Sequence, residues 1–193
     1  MKKYGVILIV IAVAALLVFA LQKLGVMTSM TAEALDESIE IVDVKTSWVD
    51  KYYQPWPPRL ILVPSISFRV KNKTDKPLRY INFNANFRFR DDFENLGDAF
   101  MAAIRNNPIP PSAKSDVIHL KCNYGVEGKT LASFKNNPHW KVVIVKLYAQ
   151  SSGSQFLPLG EWEVSKNIDF KEPEPVGTKP EEQAEELKKE DKQ

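Results

Sequence analysis

A single cysteine, Cys122, stands in the 193 residues of this chain. No intrachain disulfide is available, so a folded domain must hold by packing alone. With no partner motif beside it, the thiol reads as a buried strand residue and not as a nucleophile. Histidine is almost as scarce. His119 and His139 are the only two, and neither has metal-ligand spacing or acid–base partners around it. A Gly-rich phosphate loop and a nucleophile elbow are also missing. Lacking a catalytic constellation, a metal-ligand set and a cofactor motif, the sequence predicts a chain that is not an enzyme. An excess of one charge is absent too. Lys and Arg number 26 against 24 Asp and Glu, well mixed, for a net +2. Nothing resembles the basic stripe of a nucleic-acid binder.

The longest apolar run lies near the start. Lys2 and Lys3 precede Val6 to Leu21, and Gln22 and Lys23 interrupt before Leu24 to Met27. A membrane-spanning helix needs about 20 apolar residues, and the core of a signal peptide about 7–15. The run predicts a transmembrane signal-anchor over residues 1–28. Its leading lysines keep the N-terminus cytoplasmic and send the remainder outward, to a periplasm or cell surface. The alternative is a cleaved signal, with Val18-Phe19-Ala20 as its small-residue site. No cysteine lies near the end of the run, which argues against an acylated lipoprotein. Residues 29–37 read as a linker. Residues 171–193, built from Glu, Lys, Pro and Gln, read as a charged disordered tail with a transient helix over 181–189. One domain remains, residues 38–170, large enough for its own core.

Within it, Ile81, Phe83, Ala85, Phe87 and Phe89 alternate with Asn82, Asn84, Asn86, Arg88 and Arg90. Successive side chains of a strand point to opposite faces, so this is a strand with one dry and one wet side. Ile66, Phe68 and Val70 repeat the pattern, and the polar stretch from Asn72 to Pro77 has turn chemistry. Together, residues 60–72 and 78–90 predict an antiparallel hairpin. An earlier strand is expected over 38–45, with a bulge near Ile41 and Val42. Residues 47–59 read as a loop. Leu96, Phe100, Ala103 and Ile104 recur at helical spacing, predicting a short helix. A strand is expected over 115–122, and a turn around Gly125 and Gly128. A central strand, covered on both faces, is expected over 140–149, with a last strand through Trp162, Val164 and Ile168. Such a set of short strands predicts an all-β sandwich.

Two stretches carry a resemblance. Val70 to Leu78 resembles the strand-turn-strand signature of extracytoplasmic immunoglobulin-like domains of the FxLYD type, and of the late embryogenesis abundant sandwich domains. Ile109-Pro110-Pro111-Ser112-Ala113-Lys114-Ser115 is similar to their proline-led entry to a later strand. At the family-naming motif stands Val145-Lys146-Leu147-Tyr148-Ala149, with Val and Ala in place of Phe and Asp. The resemblance covers about residues 39–168. It implies an immunoglobulin-like antiparallel β-sandwich with one short helix, serving as an accessory, adhesive or assembly module with no catalytic site.

The best functional candidate is the stretch from Trp48 to Arg59. Trp48, Tyr52, Tyr53 and Trp56 fall among prolines that limit their freedom, and Arg59 follows. Rigid aromatics beside an arginine suit a protein-binding hot spot, a glycan platform or a membrane interface. The competing reading folds Trp48 and Trp56 back over an open end of the sandwich. The acidic run from Asp91 to Asp98 collects oxygen ligands of the kind calcium takes. It matches no EF-hand, and Asp92 or Asn95 would serve equally to cap the expected helix. Asn72-Lys73-Thr74 fits an N-glycosylation acceptor. The functional expectation is a membrane-anchored extracytoplasmic binding or accessory module of a cell-envelope assembly, with a protein partner. The alternative is a lipid- or small-ligand-handling sandwich with an apolar cavity between its sheets.

Overall fold

The computed structural model describes residues 11–16, 30–92 and 95–173. Of the expected anchor only residues 11–16 are described; they are helical. Among the described residues no helix is long and apolar enough to cross a membrane. Residues 174–193, most of the expected tail, lie outside the described residues.

Among the described residues, eight strands form two four-stranded antiparallel sheets. The first sheet runs β1 (Ile39–Gln54), β2 (Arg59–Asn72) and β5 (Ile118–Lys121), with the short β6 (Val126–Gly128) also on β2. The second runs β4 (Asn95–Ile104), β3 (Ile81–Phe89), β7 (Val143–Ser151) and β8 (Leu157–Glu163). Among the described residues, besides the helical residues 11–16, two short helices accompany them, α1 (Ala32–Ser38) and α2 (Leu131–Phe134). Helix α1 occupies a stretch expected as linker. Thr31 caps it by accepting from the Ala34 amide at 3.2 Å, and Leu35 is fully buried.

The alternation in β3 gives the faces as expected. Ile81, Phe83, Ala85 and Phe87 are fully buried, while Asn82, Asn84, Asn86 and Arg88 are half-exposed. The expected hairpin is not formed. β2 and β3 belong to different sheets and face each other across the core, with Phe68 and Phe83 rings 5.1 Å apart. A period of two fixes which side chains face inward, and it leaves the choice of strand partner open. What turns the chain from one layer to the other is Asn72. Its buried side-chain amide donates to the carbonyls of Lys76, Ile109 and Pro110 at 2.7–3.1 Å. Its oxygen accepts from the Thr74 amide and hydroxyl, both at 2.8 Å. The amide that would accept a glycan is therefore buried and fully engaged.

Three further expectations change. The expected helix over Leu96 to Ile104 is β4, an edge strand. Gly97, Ala99 and Met101 lie opposite Phe87, Ala85 and Phe83, and the small Gly97 and Ala99 on the inner side disguised the strand period. The slip near Ile41 and Val42 falls slightly later, between Val42 and Lys45, where Asp43 takes φ 55°. The expected loop over 47–59 is instead the end of β1, a turn at Pro55 to Pro58, and the start of β2. Trp, Tyr and Val are strand formers, and three of the prolines sit in that turn.

Pro64 shows how a proline is tolerated inside the central β2. Its carbonyl accepts from Cys122 at 2.9 Å, so its missing N–H faces the same side. That side lies where the partner changes from β6, paired up to Leu62, to β5, paired from Ser65. There is no ladder bond there to lose. Gly125 makes the change possible, since a Cβ there would lie 2.0 Å from the Leu62 carbonyl oxygen.

β7 is central, between β3 and β8, as the apolar run implied. Its inner residues Val143, Val145, Leu147 and Ala149 are fully buried. The outer face, also expected to be covered, is not: only Ile144 is buried there, and Lys146, Tyr148 and Gln150 are half-exposed. The β1 and β8 margins are laced together. Thr46 Oγ1 donates to Glu163 O at 3.0 Å and accepts from Ser165 N at 2.9 Å.

Candidate functional site

The two longest strands, β1 and β2, run together to a tip at Gln54 and Arg59. Their length places that tip far from Ile39 and Asn72, where the chain enters. Over the 14 residues of β2, at about 3.3 Å per residue, the separation is about 43 Å. Met30 belongs to the entry end, with its amide on Ser151 Oγ at 3.1 Å.

At the tip Trp56 is 84% exposed, bracketed by Pro55 and Pro57. Proline fixes φ, so the backbone presenting the indole has already lost much of its freedom. Below it, Gln54 Nε2 donates to Trp56 O at 3.0 Å, and the Tyr52 hydroxyl donates to Gln54 Oε1. Arg59 lies over the Tyr52 ring, 5.6 Å from its centroid. Two parallel bonds of 2.9 Å join Arg59 to both oxygens of Glu127 on β6. Hydrogen bonding from Arg59, then its charge, holds the Glu127 carboxyl below its usual range, and the same bond raises Arg59. The clamp therefore persists at neutral pH and opens only as pH falls through the lowered Glu127 value. Both groups are exposed, so the pair orients the tip without adding much stability.

An open hollow of about 500 Å³ adjoins this clamp, lined by Pro58, Glu127, Gly128, Lys129, Ser133, Asn137 and Pro138. Lys51 supports the same corner by donating to Asn123 O at 2.5 Å.

The expected site residues separate into two groups. Tyr52, Trp56 and Arg59 share the tip. Trp48 is a core residue, 1% exposed, with its ring 4.3 Å from that of Trp140. Tyr53 is half-buried and rests on Phe170 at 5.4 Å. The competing reading, aromatics folded over an end of the sandwich, therefore describes Trp48, whereas Trp56 stands free of the fold. Glu127 and Gln54 belong to the tip and were not singled out. Gln54 lay inside the candidate stretch, but Glu127 is 68 residues from its partner, and only the β2–β6 pairing brings them together.

The remaining chemistry-bearing residues are scattered. His119 faces solvent on β5, and Cys122 faces the interior, where desolvation raises its thiol pKa. His139 is exposed. Asn95 and Asp98 lie on β4, so the helix that Asp92 or Asn95 was expected to cap is a strand.

No family model matches the chain, and no curated protein matches it. Among solved structures it is similar to a Northeast Structural Genomics Consortium target designated SoR45. The identity is 13%, over 75% of this chain and 100% of that one, with a TM-score of 0.41. A Bordetella pertussis protein described as ApaA is 11% identical over 66% of this chain and 93% of that one, with a TM-score of 0.35. At such scores the likeness carries no argument.

Proposed function

We propose that the chain is a membrane-anchored, extracytoplasmic binding module that captures a protein partner of the cell envelope with the β1–β2 tip. The observation that carries this reading is Trp56, exposed on a proline-stiffened turn beside a clamped arginine. Trp and Arg dominate binding hot spots, and a pre-ordered turn loses little entropy on docking. The placement of the tip supports it. An anchor preceding residue 30 would join the end of the sandwich opposite the tip and present Trp56 away from the bilayer. The interior supports it over the lipid-handling alternative, because Phe68, Phe83 and Phe87 are fully buried and fill the space between the sheets. The strand order supports an immunoglobulin-like chain path, with β1, β2 and β5 facing β3, β7 and β8, and β4 added beside β3.

Trp56→Ala in the full chain, used as bait in native membranes, should lose its partner. The expected loss is about 2 kcal/mol or more, or about thirtyfold. The melting temperature should not move, since the indole touches little of the fold. Retention of the same partner by Trp56→Ala, with Asn84→Ala as control, would sink the proposal. The anchor has its own test. Intact mass of membrane-extracted protein should include the N-terminal run, and a mature chain starting near Leu21 would overturn that part.

A further inference from the structure

β4 is the margin of the second sheet, with β3 on one side of it. An edge strand offers unpaired N–H and C=O groups to any strand that comes alongside, and native proteins usually guard it with charge or proline. From Ala99 to Ile104 β4 has neither. Phe100 is 58% exposed and Met101 39% exposed, although both are large and apolar. Near its start the edge is occupied. Asn123, approaching from the β5 side, donates to the Asp98 carbonyl at 3.2 Å. That bond shows which way the backbone points: Asp98 faces the free margin, Met101 faces β3, and Phe100 faces the margin again.

We infer that β4 pairs antiparallel with β4 of a second copy of this chain, centred on Met101, joining the two outer sheets into one. The charge pattern selects this occupant. Asp98 precedes the uncharged stretch and Arg105 follows it, both are exposed, and neither has an ion-pair partner among the described residues. Antiparallel self-pairing about Met101 sets Asp98 opposite Ile104 of the other copy and next to its Arg105, so opposite signs meet at each end of the pairing. Parallel pairing would align like charges, which destabilises a sheet. The sizes also match. With Met101 on the twofold axis, Phe100 lies opposite Ala102 of the second copy, a large residue against a small one. The bulge between Phe83 and Ile81 then ends the paired stretch. This surface is independent of the tip, so either reading can fail without the other.

A residue on the axis meets itself. In a pair without direct hydrogen bonds the Cα atoms lie about 4.5 Å apart, within the ~4.4–6.8 Å that a disulfide spans. Met101→Cys in the full chain, oxidised mildly in native membranes, should therefore give a dimer of twice the chain mass. Asn84→Cys, on the neighbouring strand, should not. Adding Phe100→Lys or Ala102→Lys to Met101→Cys should slow cross-linking by about tenfold or more, as charge on an edge blocks pairing. Both lysines are at exposed positions, and a melt near that of the parent confirms folding. Cross-linking no faster than that of Asn84→Cys, or indifferent to the lysines, overturns the inference. So does a product whose mass shows a different protein attached.

Discussion

Phe87→Asp should leave the chain without a cooperative thermal transition. Phe87 is fully buried in β3, with Gly97 on one side and Val145 on the other. Truncating a buried phenylalanine alone costs about 3–5 kcal/mol. The carboxylate adds the penalty of an unpaired charge in an apolar layer, against a total stability of about 5–15 kcal/mol for a typical domain. One residue later the same substitution has a different outcome. Arg88 points outward and pairs with Glu161 at 3.4 Å, and Lys146 also reaches Glu161, at 3.1 Å. Arg88→Asp loses a half-exposed pair and leaves a carboxylate facing Glu161, for a loss of about 1 kcal/mol. Circular dichroism melts of both variants check the phase of the strand. If Arg88→Asp were the one that failed to melt cooperatively, the inner and outer faces of β3 would be exchanged.

That contrast could be predicted from the sequence, because alternation is a property of one strand and needs no partner. Pairing was not legible in the same way. Residues 60–72 and 78–90 alternate as a hairpin would, yet each alternates toward a shared core from its own sheet. The deciding element is the Asn72 amide, whose acceptors at Ile109 and Pro110 are remote in sequence. β4 was hidden for another reason. A strand at the margin is buried on one side only and partly, and Gly97 with Ala99 contributes little hydrophobic signal to its period.

The site was half legible. Aromatic and proline content located the hairpin tip, but composition gives no direction to a side chain. Trp48 and Trp56 look equivalent as letters, and they are eight positions apart on one hairpin. Trp48 lies where β1 still covers the core, and Trp56 lies beyond the last ladder pair, Gln54 with Arg59. The Arg59–Glu127 clamp was out of reach, since it depends on a three-residue strand that the sequence showed only as a turn.

Trp48→Ala should therefore destabilise the domain as strongly as Trp56→Ala leaves it alone. The Trp48 ring stacks at a tilt on Trp140, and Trp140 meets Phe134 edge-on at 5.3 Å. Its backbone holds the last segment of the domain: Trp48 N donates to Asn167 O at 2.9 Å, and Asp169 N donates to Trp48 O at 2.7 Å. Removing the indole leaves Trp140 and Ile168 beside a cavity, at a cost of about 3–5 kcal/mol. For a domain of this size each kcal/mol lowers Tm by about 2–4 °C, so the expected drop is about 6–20 °C. Partner capture should survive at temperatures where the variant is folded, because Tyr52, Trp56 and Arg59 lie beyond the damaged layer. Melting and capture thus move in opposite senses in the two tryptophan variants. A Trp48→Ala protein that melted normally but lost its partner would move the binding surface from the tip to the body of β1.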